Sequence, residues 1–312
     1  GGTAKEALEV IVKLLEKYGQ NHNANALFDA RYENSYIIMD YKEIWILETA
    51  GRRWAAKKLK TGIYNIGNCY SLETDVEIGS PDLEQYAREK GWLLPDEKFN
   101  FSKAYMANIP AQTLAIPRWR RVAQLANKTA KHDFTSLKKI FRDHYEDDEL
   151  LNGRYGTSSG YFPTICRHAL TWQASQTGAS MLVYYKKGIG PVVREAFSQP
   201  CCSIFLPAYV GINPPARMST GGAVFSEDSL WWLFDRLIKM VGVDSERFAQ
   251  GVHKAINQLE QEIEKEANTA EEKAAALMEA GNKETANKIL YKLMDECSYK
   301  AEKLAKEQYA NI

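Results

Sequence analysis

Ser35-Tyr36-Ile37-Ile38-Met39, then Asp40-Tyr41-Lys42, then Ile44-Trp45-Ile46-Leu47-Glu48 is the stretch whose reading decides the fold class. Two runs of β-branched and aromatic residues flank a short polar interruption, which reads as a strand, a turn and a returning strand. Residues 54–59 read as a third strand, and Thr61-Gly62 turns the chain into a further run at 63–66. Short strands joined by tight turns predict an antiparallel meander. Its strands are apolar on more than one face in places, so helices are expected to cover them.

Upstream, Ala7, Val10, Ile11, Leu14 and Leu15 recur at helical spacing. Thr3 and Glu6 have the capping-box form, and Gly19 stands where a helix would stop. Downstream, helices are expected at 81–90, at 118–130 opened by Pro117, and at 134–144 capped by Asp133. Residues 146–162 turn acidic and then rich in Gly and Ser, and read as a loop. A second β region follows, with strands expected at 179–185, 192–198 and 203–207 around the turn 186–190. Separate runs of strands and helices make this an α+β chain.

Residues 230–240 form an apolar helical pattern, and a long helical tail follows Gly242. Val252, Ile256, Leu259 and Ile263, then Leu290, Met294, Cys297, Ala301 and Leu304, repeat at alternating threes and fours, with Gly281-Asn282 between the two sets. That spacing predicts a helical hairpin or coiled-coil arm over 246–312, used for packing or oligomerisation. The expected organisation is one domain over 1–240 and this arm.

Lys+Arg and Asp+Glu number 40 each, so the net charge is zero and no electrostatic footprint for nucleic acid or an acidic membrane surface is expected. No apolar run approaches the ~20 residues of a membrane span. The five cysteines, Cys69, Cys166, Cys201, Cys202 and Cys297, are odd in number and fit neither a disulfide framework nor a CxxC metal site. Unpaired thiols point to a reducing compartment, the cytoplasm. His22, His132, His144, His168 and His253 are scattered without an HExxH pattern, so neither a metal nor any other cofactor is expected.

The remaining motifs have bland readings. Gly51-Arg52-Arg53-Trp54 with Lys57, Lys58 and Lys60 reads as a solvated strand face. Gly156 to Gly160 lacks the GxxxxGK[ST] and GxGxxG patterns of a phosphate cradle, and Gly221-Gly222 is a turn. Cys166-Arg167-His168 sets a thiol beside a base, but neighbours on a strand face opposite ways, so no Cys–His dyad is expected there. All five thiols read as buried structural residues.

The segments Asn34 to Asp40, Glu43-Ile44-Trp45-Ile46-Leu47-Glu48-Thr49-Ala50-Gly51 and Trp54-Ala55-Ala56 together resemble the secernins and dipeptidase-A-type cysteine peptidases, within the N-terminal nucleophile hydrolases. The opening helix, Thr164 to Ala169, Thr177 to Tyr184 and Phe197 to Gly211 are similar to further parts of that family, so the resemblance covers roughly residues 1–240. It implies a four-layer αββα sandwich and hydrolysis of amide bonds in peptides, typically dipeptides. The family's nucleophile is a Cys at the first position of the mature chain, whose own α-amino group is the general base. Residue 1 here is Gly, so the resemblance implies that the nucleophile lies on an N-terminal segment or partner chain outside these residues.

Two supporting positions carry over. Asn68, in Asn65-Ile66-Gly67-Asn68-Cys69, stands where relatives place an amide near the nucleophile. Arg118, in Ile116-Pro117-Arg118-Trp119, matches an Arg at a helix start that faces it. The expected partners are a peptide or small amide substrate, a Cys-bearing fragment and a second copy of the chain through the helical arm. The alternative is a catalytically inactive scaffold or interaction protein that keeps the fold and uses the arm.

Overall fold

The computed structural model describes residues 1–20, 33–106, 115–148, 164–168 and 176–312. The chain divides into two compact units, Gly1–Ala130 and Lys131–Ile312. The Gly156 to Gly160 loop and most of the segment 146–162 lie outside the described residues.

In the first unit, helix α1 spans Ala4–Tyr18. The Thr3 hydroxyl accepts from the Glu6 amide at 3.1 Å, and the Glu6 carboxylate reaches back to the Gly2 amide at 2.7 Å. Gly19 ends the helix at φ 76°, a left-handed conformation that glycine adopts without a Cβ penalty. Strands β1 (Ser35–Met39), β2 (Ile44–Ala50), β3 (Arg53–Lys58) and β4 (Ile78–Gly79) form an antiparallel sheet in that order.

The two-residue period of the strands sorts their side chains. Trp45, Leu47 and Ala56 face Leu8 and Val12 of α1. Ile46 and Ala55 face the opposite way, onto Leu83, Ala87, Phe101 and Ala104 of helices α2 (Leu83–Glu89) and α3 (Phe101–Met106). Helices therefore cover both faces of this sheet.

The run at 63–66 is not a strand. The outer edge of β3 pairs instead with Ile78–Gly79, and Ile63 and Tyr64 stay exposed. Helix α4 spans Ile116–Ala126, with Pro117 in its first turn, and stops four residues short of the sequence expectation. The basic strand residues are engaged: Arg53 pairs with Asp82 at 2.6 Å, Lys58 with Glu43 at 2.6 Å, and Lys57 with Asp75. Arg52 caps the carbonyls of Glu16 and Lys17 at the end of α1.

The second unit opens with α5 (Phe134–Phe141), whose N-cap Asp133 forms a reciprocal capping box with Ser136. It ends three residues before His144, and the chain turns sharply at Tyr145, φ 64°. Strands β5 (Ala179–Lys186), β6 (Gly190–Phe197) and β7 (Leu206–Tyr209) make a three-stranded antiparallel sheet. Ser203 to Phe205, expected at the start of the last strand, precede it instead, because Pro200–Cys202 forms a 3-10 turn.

One sheet face is buried: Ser180 and Leu182 on β5, and Val192, Arg194 and Ala196 on β6. The other face keeps Met181 58% and Val183 41% exposed. Phe134, Leu137 and Phe141 of α5 pack on Leu182, Ala196 and Phe205.

Helices α6 (Ala216–Ser219), α7 (Leu230–Val243), α8 (Ser245–Glu279) and α9 (Lys283–Ala310) complete the unit. Lys300 of α9 bonds Glu262 and Glu266 of α8 at 2.6 Å each, which with the turn at Gly281 makes the pair an antiparallel hairpin. Its heptad-spaced residues Ile256, Ile263, Leu290, Met294, Cys297 and Ala301 are buried with Leu206 of β7 and Phe234 and Leu237 of α7. The hairpin thus helps form the second unit's core.

A buried charge network ties the sheet to α8. Arg194, fully buried, bonds Glu271 at 2.9 Å and Glu264 at 3.1 Å. Glu271 also accepts from Tyr184 at 2.6 Å, Tyr209 at 2.8 Å and Lys186 at 2.9 Å. Among the described residues, no helix is long and apolar enough to cross a membrane.

Candidate functional site

Asn68 and Arg118 lie on adjoining segments of the first unit. The side chain of Asn65 donates to the Trp119 carbonyl at 2.9 Å, and the Trp119 indole donates back to the Asn65 carbonyl at 2.9 Å. This reciprocal pair holds the 65–69 segment on the first turn of α4. A Cβ on Gly67 would stand 3.4 Å from the Trp119 Cβ, so the segment lies close against that turn. Asn68 is exposed, Arg118 is half-buried, and Cys69, next to Asn68 in sequence, is buried.

The Cys69 thiol is pushed up to about 11, first by burial and then by the neighbouring Glu48 carboxylate, with Arg118 pulling it down by a lesser amount. A thiol so held is protonated at neutral pH and a poor nucleophile. Glu48 on β2 is fully buried and accepts from the Ser71 amide and hydroxyl at 2.7 Å each and from the Leu72 amide at 3.0 Å. Burial raises its carboxyl despite those three donors. The neighbourhood thus offers an exposed amide, a guanidinium and a buried acid, but no activated thiol of its own. Asn68 and Arg118 are of the right types to bind a carbonyl oxygen or a carboxylate.

A second constellation, in the second unit, was not foreseen. His144, Cys166, His168 and Cys201 bring four ligand-type atoms within 4.8 Å of one another, and all four residues are buried. His144 Nε2 faces His168 Nε2 at 3.1 Å, and the latter nitrogen lies 3.4 Å from Cys201 Sγ and 3.6 Å from Cys166 Sγ. Each segment is fixed by the backbone. The Cys166 amide donates to the Asp143 carbonyl at 3.2 Å, and Arg167 exchanges bonds of 2.9 Å with Thr177. Arg142 donates to the carbonyls of Pro200, which opens the 3-10 turn, and Ser203, which follows it, at 2.7 and 2.9 Å. Glu146 accepts from the His144 amide and meets its Nδ1, both at 2.9 Å.

Burial raises the Cys201 thiol, but hydrogen bonds with Cys166, Cys202, His144 and His168 outweigh it and hold the thiol well below its ordinary value. Burial opposes the His144 cation, yet its bonds to Cys201 and Glu146 hold the imidazole up at about 9. Cys166 is raised well above the ordinary range, first by burial and then by Cys201.

This corrects two expectations. Cys166 and His168 do meet, because the segment is an irregular loop and residues two apart share a side even in an extended chain. The histidines, scattered in sequence, are not all scattered in space. The legible signal was the Cys-x-His spacing at 166–168. The contributions of His144 and Cys201 come from distant segments and had none.

A family profile for peptidase family C69 matches residues 2–258, most of the chain and part of both units. The chain belongs to peptidase family C69, and that membership supports a peptidase-like function.

Proposed function

We propose that this chain is the C-terminal portion or a subunit of a dipeptidase-like cysteine hydrolase that cleaves the amide bonds of dipeptides or small amides. The observation that carries the reading is the family match over residues 2–258. In this reading residues 1–240 carry an αββα sandwich of N-terminal nucleophile type and 246–312 the helical arm. The face of β5–β7 that carries Met181 and Val183 is open to a further layer, whereas the sheet of the first unit has helices on both faces.

The nucleophile is a cysteine other than the five in this chain. Burial pushes Cys69 and Cys297 up to about 11 and about 12 and raises Cys166, while Cys201 and Cys202 are enclosed in the second unit's core. The attacking cysteine, on an N-terminal segment or partner fragment, uses its own α-amino group as base. Arg118 orients the substrate or the nucleophile by its charge, and Asn68 donates to the developing oxyanion. Five free thiols support a cytoplasmic setting. Exposed Tyr291 and Tyr299 on α9 offer a surface for self-association.

The test is dipeptide hydrolysis by the protein from its native source, with N-terminal sequencing of every polypeptide in the active fraction. Activity that co-purifies with a Cys-initiated polypeptide supports the reading. A pure, folded preparation without dipeptidase activity, or an active one without such a polypeptide, overturns it.

A further inference from the structure

We propose that His144, Cys166, His168 and Cys201 form a closed structural site for a zinc ion. The proposal is independent of the peptidase reading, since all four residues lie in the second unit and none belongs to the Asn68–Arg118 neighbourhood.

The distances carry it. Tetrahedral zinc, with bonds of about 2.0–2.1 Å to nitrogen and about 2.3 Å to sulfur, sets its ligand atoms about 3.3 Å apart for N···N and about 3.6 Å for N···S. The separations in the protein are 3.1 Å for the two imidazole nitrogens and 3.4 and 3.6 Å for His168 Nε2 to the two sulfurs. Hydrogen bonding alone accounts poorly for the same arrangement. A neutral imidazole nitrogen has one in-plane proton or one in-plane lone pair, yet His168 Nε2 faces a nitrogen and two sulfurs at once. A central cation would satisfy all four atoms together.

The surroundings fit a metal as well. Glu146 accepts from His144 Nδ1, which fixes the proton there and turns the Nε2 lone pair towards the sulfurs. Such a carboxylate behind a ligating histidine is a recurrent partner of zinc. Two thiolates would balance the charge of the ion, so the loaded site is neutral and suits its buried position. Four protein ligands leave no open position, which makes the site structural rather than catalytic. The ion would pin the turn after α5, the 164–168 segment and the 3-10 turn before β7 to one point.

The test is metal analysis of the full chain purified from zinc-supplemented cells, beside the variants Cys201→Ser, His168→Ala and Cys297→Ser. About one zinc per chain is expected in the wild type and in Cys297→Ser, whose buried thiol lies outside the cluster, and loss of zinc in the other two. A second readout covers the case that a ligand variant fails to fold. Cobalt(II) reconstitution of the wild type should give the intense d–d absorption of tetrahedral coordination and thiolate-to-metal charge transfer. Metal-free wild-type protein after zinc supplementation, zinc retained in both ligand variants, or octahedral cobalt without thiolate bands each overturn the assignment.

Discussion

At the scale of the residue, the sharpest contrast is between two buried thiols. Cys69 sits beside a buried carboxyl and is held up at about 11, whereas Cys201 is ringed by groups that stabilise its thiolate. Proximity to the Asn68–Arg118 neighbourhood therefore does not make Cys69 reactive. Cys69→Ala is expected to leave kcat for dipeptide hydrolysis unchanged, while Asn68→Ala lowers it by about 10²-fold, the range for loss of one oxyanion donor. Steady-state kinetics on the active assembly checks both, and a Cys69→Ala enzyme without activity would refute the first. Gly188 makes a second residue-scale case. Its φ is 85°, and an added Cβ would stand 2.9 Å from the Ala275 Cβ on α8. Gly190 has φ 98° with nothing within 4 Å of the same position. Both Ala substitutions pay the backbone strain, about 1 kcal/mol or more, but only Gly188→Ala must also push α8 away. Thermal melts should rank Gly188→Ala below Gly190→Ala.

At the scale of the element, Arg194 and Glu271 bind the second sheet to α8, and truncating one partner strands the other's charge in the core. Glu271→Ala is expected to destabilise the second unit by about 3–5 kcal/mol in denaturant unfolding. The carboxyl of Glu271 is held below its ordinary 4.5: burial opposes this, but Arg194 and the bonds from Tyr184, Lys186 and Tyr209 prevail. A lowered folded value means that the stabilisation is complete above about pH 4.5 and is lost as pH falls through the lower, folded value. Glu48 behaves oppositely. Burial raises its carboxyl, so its contribution is present at low pH and shrinks as pH rises above the ordinary 4.5. Stability measured between pH 3 and 6 should therefore lose its acid limb in Glu271→Gln and gain at the upper end in Glu48→Gln. The elements themselves were largely legible. Thr3, Asp133, Pro117 and the β-branched and aromatic runs of 35–48 around a polar turn give helix starts and strands directly, because capping and strand propensity are local. The run 63–66 misled because strand pairing is settled by distant partners, here Ile78 beside Ala56. The His–Cys cluster was hidden for a related reason: two of its four residues, His144 and Cys201, carry no signal in the sequence until the turn at Tyr145 and the 3-10 turn at Pro200–Cys202 bring them to Cys166 and His168.

At the scale of the whole molecule, the family match ends at residue 258, inside α8, while the helical pair continues to Ala310. The heptad seam that the sequence displays is spent on this chain's own β7, α7 and α8. Deleting 283–312 should therefore expose Leu206, Phe234 and Ile256 and turn the second unit's cooperative melt into a broad one, seen by circular dichroism and dye binding. The central claim is that a chain of this family hydrolyses peptides with a nucleophile other than its five visible thiols. The most direct measurement is to treat the active native protein with a dipeptide analogue bearing a thiol-reactive group at the scissile carbonyl, and to locate the adduct by peptide mass spectrometry. The account predicts one adduct, on an N-terminal cysteine of an upstream segment or companion polypeptide. An adduct on Cys69, Cys166, Cys201, Cys202 or Cys297 that abolishes activity would contradict it.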